Sequence, residues 1–279
     1  MRASEEKGVI RRLIIVGIDG LDYDLIVGWE LKHLLQRDYG RITVPISDKG
    51  IPLSPQVWGS FLKGEYLNNN FKFEVKHRNN TIYNILRAIR RVVPLSLGLS
   101  KRIHKPIEHS RFPELNFKTF IDFPGVREVN APYYSFDYKS FEISFKYRQG
   151  ILSINDCIAG LEKILLNKQK LIIKEMEEDD KSKVIFFFIH ALDVLQHFIF
   201  VKGPKFLRRY YAELDNFLYE VNKIGDDRII VVSDHGFDFE TGTHSMTGFY
   251  SCNEVIKPKP KDITDFYGIV RDFLQKVGG

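Results

Sequence analysis

The chain has 279 residues, 44% of them hydrophobic and 28% charged, which is enough apolar material for a sizeable core and too much for a disordered protein. Its 41 basic and 36 acidic residues leave a mild net charge of +5. No apolar run approaches the roughly 18 residues that span a bilayer, and the longest, Val184 to Ile189, ends at a histidine. The opening MRASEEKGVIRR has acidic residues and no apolar h-region, so it does not read as a signal peptide and a cytoplasmic location is expected. Cys157 and Cys252 are too few and too far apart for a disulfide scaffold or a cysteine zinc site, and both read as buried small residues.

Taken in chain order, apolar runs alternate with amphipathic stretches, the pattern of a mostly parallel sheet covered on both faces. LIIVGI (13–18) predicts a buried strand, and after a turn at Asp19-Gly20-Leu21 the apolar spacing predicts a helix from Asp22 to about Gln36. RITVP (41–45) reads as a second strand. Pro55 sits where a first helical turn tolerates proline, so a helix opens there and ends near Gly64. From 68 to 150 the pattern weakens to one clear helix (81–93), which suggests an inserted cap within a single domain spanning 1–279. Ser153 caps a long helix to about Glu178. VIFFFI (184–189) has no polar face and belongs mid-sheet. A helix (204–223), the strand RIIVVS (228–233) and a closing helix (263–277) complete the expected three-layer α/β/α sandwich.

Polar residues follow three of these strands directly: Asp19, then Asp193 and His197, then Asp234 and His235. Open parallel sheets bind ligands beyond the carboxyl ends of their strands, so these residues converge. Four of the eight histidines (His190, His197, His235, His244) fall within one stretch of 55 residues, accompanied by carboxylates. That mixture suits zinc, which takes imidazole nitrogen and carboxylate oxygen, and manganese would use the same ligands. Asp193 and His197, four apart on a helix, share a face. Each residue also has a plainer reading: Asp19 and Asp234-His235-Gly236 as turns, Ser54 as an N-cap before Pro55, His190 as a buried hydrogen-bonded residue, and His244 as an exposed loop histidine.

Five stretches, IVGIDGLDYDL, LSPQVWGSFLKG, ALDVLQHF, VVSDHGF and GTHSMTGF, match in order across residues 14–249. Together they resemble the alkaline phosphatase superfamily, most closely its type I phosphodiesterase/nucleotide pyrophosphatase branch. The resemblance implies one divalent ion held by Asp193, His197 and His244, and a second by Asp19, Asp234 and His235 together with Ser54, the nucleophile. Where relatives carry Thr-Gly after the nucleophile's helix, this chain has Lys63-Gly64, and the lysine either brings charge near the phosphate or faces solvent. Asn130 falls where relatives run a strand past the phosphate.

The implied activity is cleavage of a phosphodiester or pyrophosphate bond in a small anionic phosphate ester through a phosphoserine. A phosphomonoesterase or phosphomutase would share every one of these residues. A sulfatase is disfavoured, since SPQVW has no arginine at the required place. A metal-binding or nucleic-acid-binding protein without turnover is the rival of a different class, because residues 72–127 carry twelve Lys and Arg against four acidic residues. That basic stretch reads either as a solvated face or as an attractor for an anionic substrate. Kinase and dinucleotide readings fail, since neither GSFLKG nor LIIVGIDG has the glycine spacing those motifs need. Oligomeric state is left open.

Overall fold

A computed structural model describes residues 11–67, 112 and 115–278. Six strands form a central sheet: β1 (Leu13–Ile18), β2 (Asp38–Ile42), β3 (Val126–Val129), β4 (Val184–Ile189), β5 (Arg228–Ser233) and β8 (Gly248–Cys252), in the order β2-β8-β5-β1-β4-β3. β3, β4, β1 and β5 run parallel, and β8 is antiparallel to both of its neighbours. β6 (Phe237–Asp238) and β7 (Thr243–His244) form a separate small hairpin.

The alternation of side chains along each strand divides the core in two. Ile14, Val16, Ile18, Ile185, Phe187, Ile229 and Val231 face one layer of helices. Leu13, Ile15, Val184, Phe186, Phe188, Ile230 and Val232 face the other. The first layer contains α1 (Tyr23–Gly28), α2 (Lys32–Leu35), α5 (Ile154–Glu178), α6 (Ala191–Ile199) and α7 (Arg208–Val221); the second contains α3 (Ser54–Lys63) and α8 (Asp265–Gly278). A short helix, α4 (Lys139–Arg148), packs beside α5. The three-layer α/β/α sandwich is therefore as expected.

The departures are local. The helix expected over Asp22–Gln36 is broken into α1 and α2 at Glu30, which adopts a positive φ of 54°, and α2 stops at Gln36, φ 55°. β2 starts three residues earlier than RITVP, since its partner is β8, a strand the apolar pattern did not single out. Residues 126–148 lie inside the stretch expected as a cap, yet β3 forms the sheet's edge and α4 joins a helical layer. The helix expected at 81–93 lies outside the described residues. The helix expected from Pro204 begins at Arg208, preceded by two short turns of 3-10 helix (Phe200–Lys202 and Pro204–Leu207) around Gly203.

One packing detail carries α3 to its working position. A Cβ on Gly17, in the middle of β1, would lie 2.9 Å from the Trp58 ring, so the glycine leaves the room that lets Trp58 lie flat against the sheet. Trp58 is fully buried and stacks edge-on against Phe61 and Phe188. The helix axis is thereby fixed with its N-terminus at the carboxyl end of β1.

Candidate metal centre

β5, β1 and β4 are neighbours in the sheet, so the residues after each strand meet at one edge. Asp19 follows β1 and donates its amide to the Ile189 carbonyl at the end of β4, 2.9 Å away. Gly20 then turns at φ 75°; a Cβ there would meet Gln196 Nε2 at 2.6 Å and the Asp193 backbone at 3.2 Å. Asp234 and His235 follow β5 and are fully buried. α6 begins after β4 and presents Asp193 and His197 one turn apart, and β7 brings His244 alongside. All seven residues singled out by sequence, Asp19, Ser54, Asp193, His197, Asp234, His235 and His244, come together here.

They form two groups. In the first, His197 Nε2 lies 3.5 Å from Asp193 Oδ1, His244 Nε2 lies 3.8 Å from the same oxygen, and the two imidazole nitrogens are 3.3 Å apart. Three atoms with those separations share a point about 2 Å from each, which is the zinc–ligand distance. In the second, His235 Nε2 is 3.3 Å from both Asp19 Oδ1 and Asp234 Oδ2. Ser54 Oγ completes that group, 3.1 Å from Asp19 Oδ1 and 3.0 Å from His235 Nε2.

Divalent cations fit these residues on an independent ground. Buried polar atoms normally have partners. Asp19 Oδ2, Asp193 Oδ1 and Asp234 Oδ2 are buried and accept no hydrogen bond. The histidines are oriented to match: His244 Nδ1 donates to the Pro52 carbonyl (2.9 Å) and His235 Nδ1 to the Gly236 carbonyl (2.9 Å), which leaves each Nε2 facing inward. Electrostatics carry the same message. Burial, then the neighbouring Asp234, push the Asp19 carboxyl well above the ordinary range. Burial would lower His235, but Asp234 and Asp19 outweigh it and lift the imidazole to about 10. Without cations, the acids depend on a protonated histidine for their charge balance.

Further residues hold these side chains in place. Gln196 Nε2 donates to the Gly20 carbonyl (2.8 Å) and Gly20 N to Asp234 Oδ1 (3.2 Å). Ser233 Oγ donates to the His235 carbonyl (2.8 Å) and accepts from Leu21 N (2.8 Å). Asp22 caps α1 through Leu25 N and accepts from Phe237 N (3.0 Å), tying the first turn to the hairpin that bears His244. Tyr133, at φ 70°, donates its hydroxyl to the Pro55 carbonyl beside Ser54. Sequence reasoning missed Gln196 and Tyr133, whose roles depend on contacts distant along the chain.

Several plainer readings are also settled. Ser54 is not an N-cap: Leu53 holds that position, and the serine is the first helical residue with its hydroxyl turned to Asp19 and His235. His190 is buried, shares a hydrogen bond with Ser140 Oγ (2.8 Å), and is pushed down to about 4 by burial. Lys63 lies nine residues beyond Ser54, about 13 Å along the helix, and pairs with Glu65. Asn130 spends its amide on the Phe188 carbonyl and its oxygen on Asp137 N, so it braces β3 against β4. Both cysteines are buried and free.

No family model matches the chain, and no curated protein matches it. Solved structures do. The alkaline phosphatase from the Antarctic bacterium TAB5 aligns with a TM-score of 0.51 at 11% identity, over 95% of this chain and 97% of that one. A histidine-to-glutamate variant of that phosphatase, with Mg bound in the M3 site, aligns with a TM-score of 0.50 at 11% identity over the same shares. Murine ectonucleotide pyrophosphatase/phosphodiesterase 5 aligns with a TM-score of 0.42 at 14% identity, over 81% of this chain and 57% of that chain. The likeness to the TAB5 structures shows that this chain has the alkaline phosphatase-like fold. Among the described residues, no helix is long and apolar enough to cross a membrane.

Proposed function

We propose that the chain is a two-metal phosphohydrolase of the type I phosphodiesterase/nucleotide pyrophosphatase kind, cleaving a phosphodiester or pyrophosphate bond of a small organic molecule. The observation that carries this reading is Ser54 Oγ, buried at the start of α3 and within 3.1 Å of both Asp19 and His235, beside three carboxylate oxygens without partners. Asp193, His197 and His244 would hold one ion, and Asp19, Asp234, His235 and Ser54 the other. The bound cations, with zinc favoured by the imidazole and carboxylate donors, supply Lewis acidity that lowers the serine pKa and neutralises phosphoryl oxygens.

The chain's own residues do the rest. Asp19 and His235 aim Ser54 Oγ, and as that oxygen attacks phosphorus its proton passes to the Asp19 carboxylate that accepts its hydrogen bond. The new O–P bond forms as the bond to the leaving oxygen breaks, leaving a phosphoserine that water then hydrolyses. Ser54 stands in the first turn of α3, and the positive end of the helix favours the transferred anion.

The test is turnover of bis-p-nitrophenyl phosphate and p-nitrophenyl phosphate in parallel, with zinc or manganese, with chelator, and with Ser54→Ala. Diester cleavage lost with chelator and with the alanine variant is the expected result. A monoester preference with the same losses reassigns the protein as a phosphatase or mutase. No turnover by metal-loaded protein refutes the hydrolase reading.

A further inference from the structure

We infer that the segment following α6 is a docking surface for an anionic lipid bilayer, set at the rim of the metal centre. Residues Ile199 to Tyr210 read IFVKGPKFLRRY, with four basic side chains and no acidic one. Val201 is 76% exposed and Phe206 55% exposed, the two largest exposures of apolar side chains in this part of the molecule. Isolated exposed apolar residues are ordinary, but these two bracket a turn at Gly203 (φ 85°) and alternate with Lys202 and Lys205. Neither lysine, nor Arg208, has a carboxylate partner among the described residues, whereas Arg209 is paired with Glu162.

The same segment lines a cavity of about 410 Å³, in which Ile199 and Tyr210 are buried while Lys202, Lys205, Phe206 and Arg209 are exposed. Buried apolar residues beside exposed cationic ones match a phospholipid, whose glycerol and upper acyl carbons are apolar and whose headgroup carries a phosphate. Val201 and Phe206 can enter the acyl boundary while the lysine ammonium groups stay among the headgroups. Nucleic acid fits less well. Its phosphates would meet the lysines, but a protruding aliphatic valine has nothing to stack on.

The surface is tied to the metal centre by packing. Phe200 lies 6.0 Å from the Phe237 ring, which in turn lies 5.0 Å from His197. A Cβ on Gly242, in the hairpin that carries His244, would strike the Phe200 ring at 2.6 Å. Met246, two residues beyond His244, is itself half exposed. Ring contacts thus run from the segment bearing Val201 and Phe206 to His197, whose side chain is 39% exposed.

The experiment is sedimentation of the full chain with vesicles of phosphatidylcholine alone and of phosphatidylcholine mixed with phosphatidylglycerol. The protein should sediment with the anionic vesicles, release as salt is raised, and ignore the neutral ones. Val201→Ser with Phe206→Ser, and separately Lys202→Glu with Lys205→Glu, should each lower vesicle partitioning by roughly tenfold or more, with an unchanged thermal melt. No binding of the unaltered chain, equal binding to neutral vesicles, or unaltered binding by both double variants overturns the proposal. Binding to an RNA oligomer without binding to vesicles also overturns it. Sedimentation needs no turnover, so the outcome is independent of the hydrolase reading.

Discussion

Replacing Asp19 by asparagine should stabilise the metal-free protein and destabilise it, relative to the unaltered chain, once metal is present. Asp19 is 1% exposed, its Oδ2 accepts no hydrogen bond, and burial and Asp234 both oppose its charge. Asparagine keeps an oxygen for Ser54 and removes the negative charge, while His235 retains Asp234 at 3.3 Å. Removing a buried charge that both burial and Asp234 oppose contributes about 1–3 kcal/mol. In a domain of this size each kcal/mol raises the midpoint by about 2–4 °C. The sign also follows from proton linkage. A carboxyl whose folded pKa is raised binds its extra proton in the folded state, so the unaltered, metal-free protein loses stability as pH rises above the ordinary carboxylate range, and the asparagine variant lacks that share of the loss. With free zinc at about a thousand times each site's dissociation constant, each bound ion adds about 4 kcal/mol, so the unaltered chain gains from both groups and the variant only from the group of Asp193, His197 and His244. Thermal melts in chelator and in zinc read both effects. A variant less stable than the unaltered chain in chelator would refute the argument that the centre is a set of acids held for a cation.

Other perturbations isolate other parts of the design. Gly236→Ala drives its methyl into the Asp22 carboxylate and within 2.7 Å of Ser245 Oγ, so it should cost about 1–3 kcal/mol in urea unfolding. His244→Ala should lower bound zinc from two ions to one per chain, read by elemental analysis, since the group of Asp19, Asp234 and His235 is intact. Burial would raise Asp179, but Arg127, then the Ser182 amide and hydroxyl and the Lys181 amide, hold it well below the usual carboxylate range. Its contribution is therefore present above about pH 4 and lost as pH falls. Asp179→Asn should flatten the stability profile on the acid side while leaving diester turnover unchanged.

The parts of the fold that could be read from sequence are those in which one physical rule dominates. VIFFFI has no polar face because both faces of β4 are covered, and LIIVGI is buried at every position for the same reason. Ser153 and Asp156 form a capping box three residues apart, so the start of α5 is local information. β8 was not legible, because GFYSC is buried on both sides only through β2 and β5, which are distant in sequence. The break at Glu30 was not legible either: the apolar spacing continues through it, and the positive φ is a backbone choice that side-chain periodicity does not record.

That the residues of the candidate centre converge could be read before their geometry was known. A strand leading out of a buried parallel sheet has no sequence reason to end in a carboxylate, since the group must then be held nearly free of water. Asp19 and Asp234 do so on adjacent strands, and Asp193 does so one turn into the helix after a third. Three such acids at one sheet edge repel one another, and the imidazole of His235 offsets part of that repulsion. What the sequence could not supply is the bracing: Gln196 on Gly20, Asp22 on Phe237, and Tyr133 on Pro55. Each is a polar side chain bonded to the backbone of an element far along the chain, and such bonds leave no periodic trace. Yet these contacts hold the ligand atoms at 3.3–3.8 Å separations. The chemistry is legible because residue type carries it, and the precision is not, because it belongs to the fold.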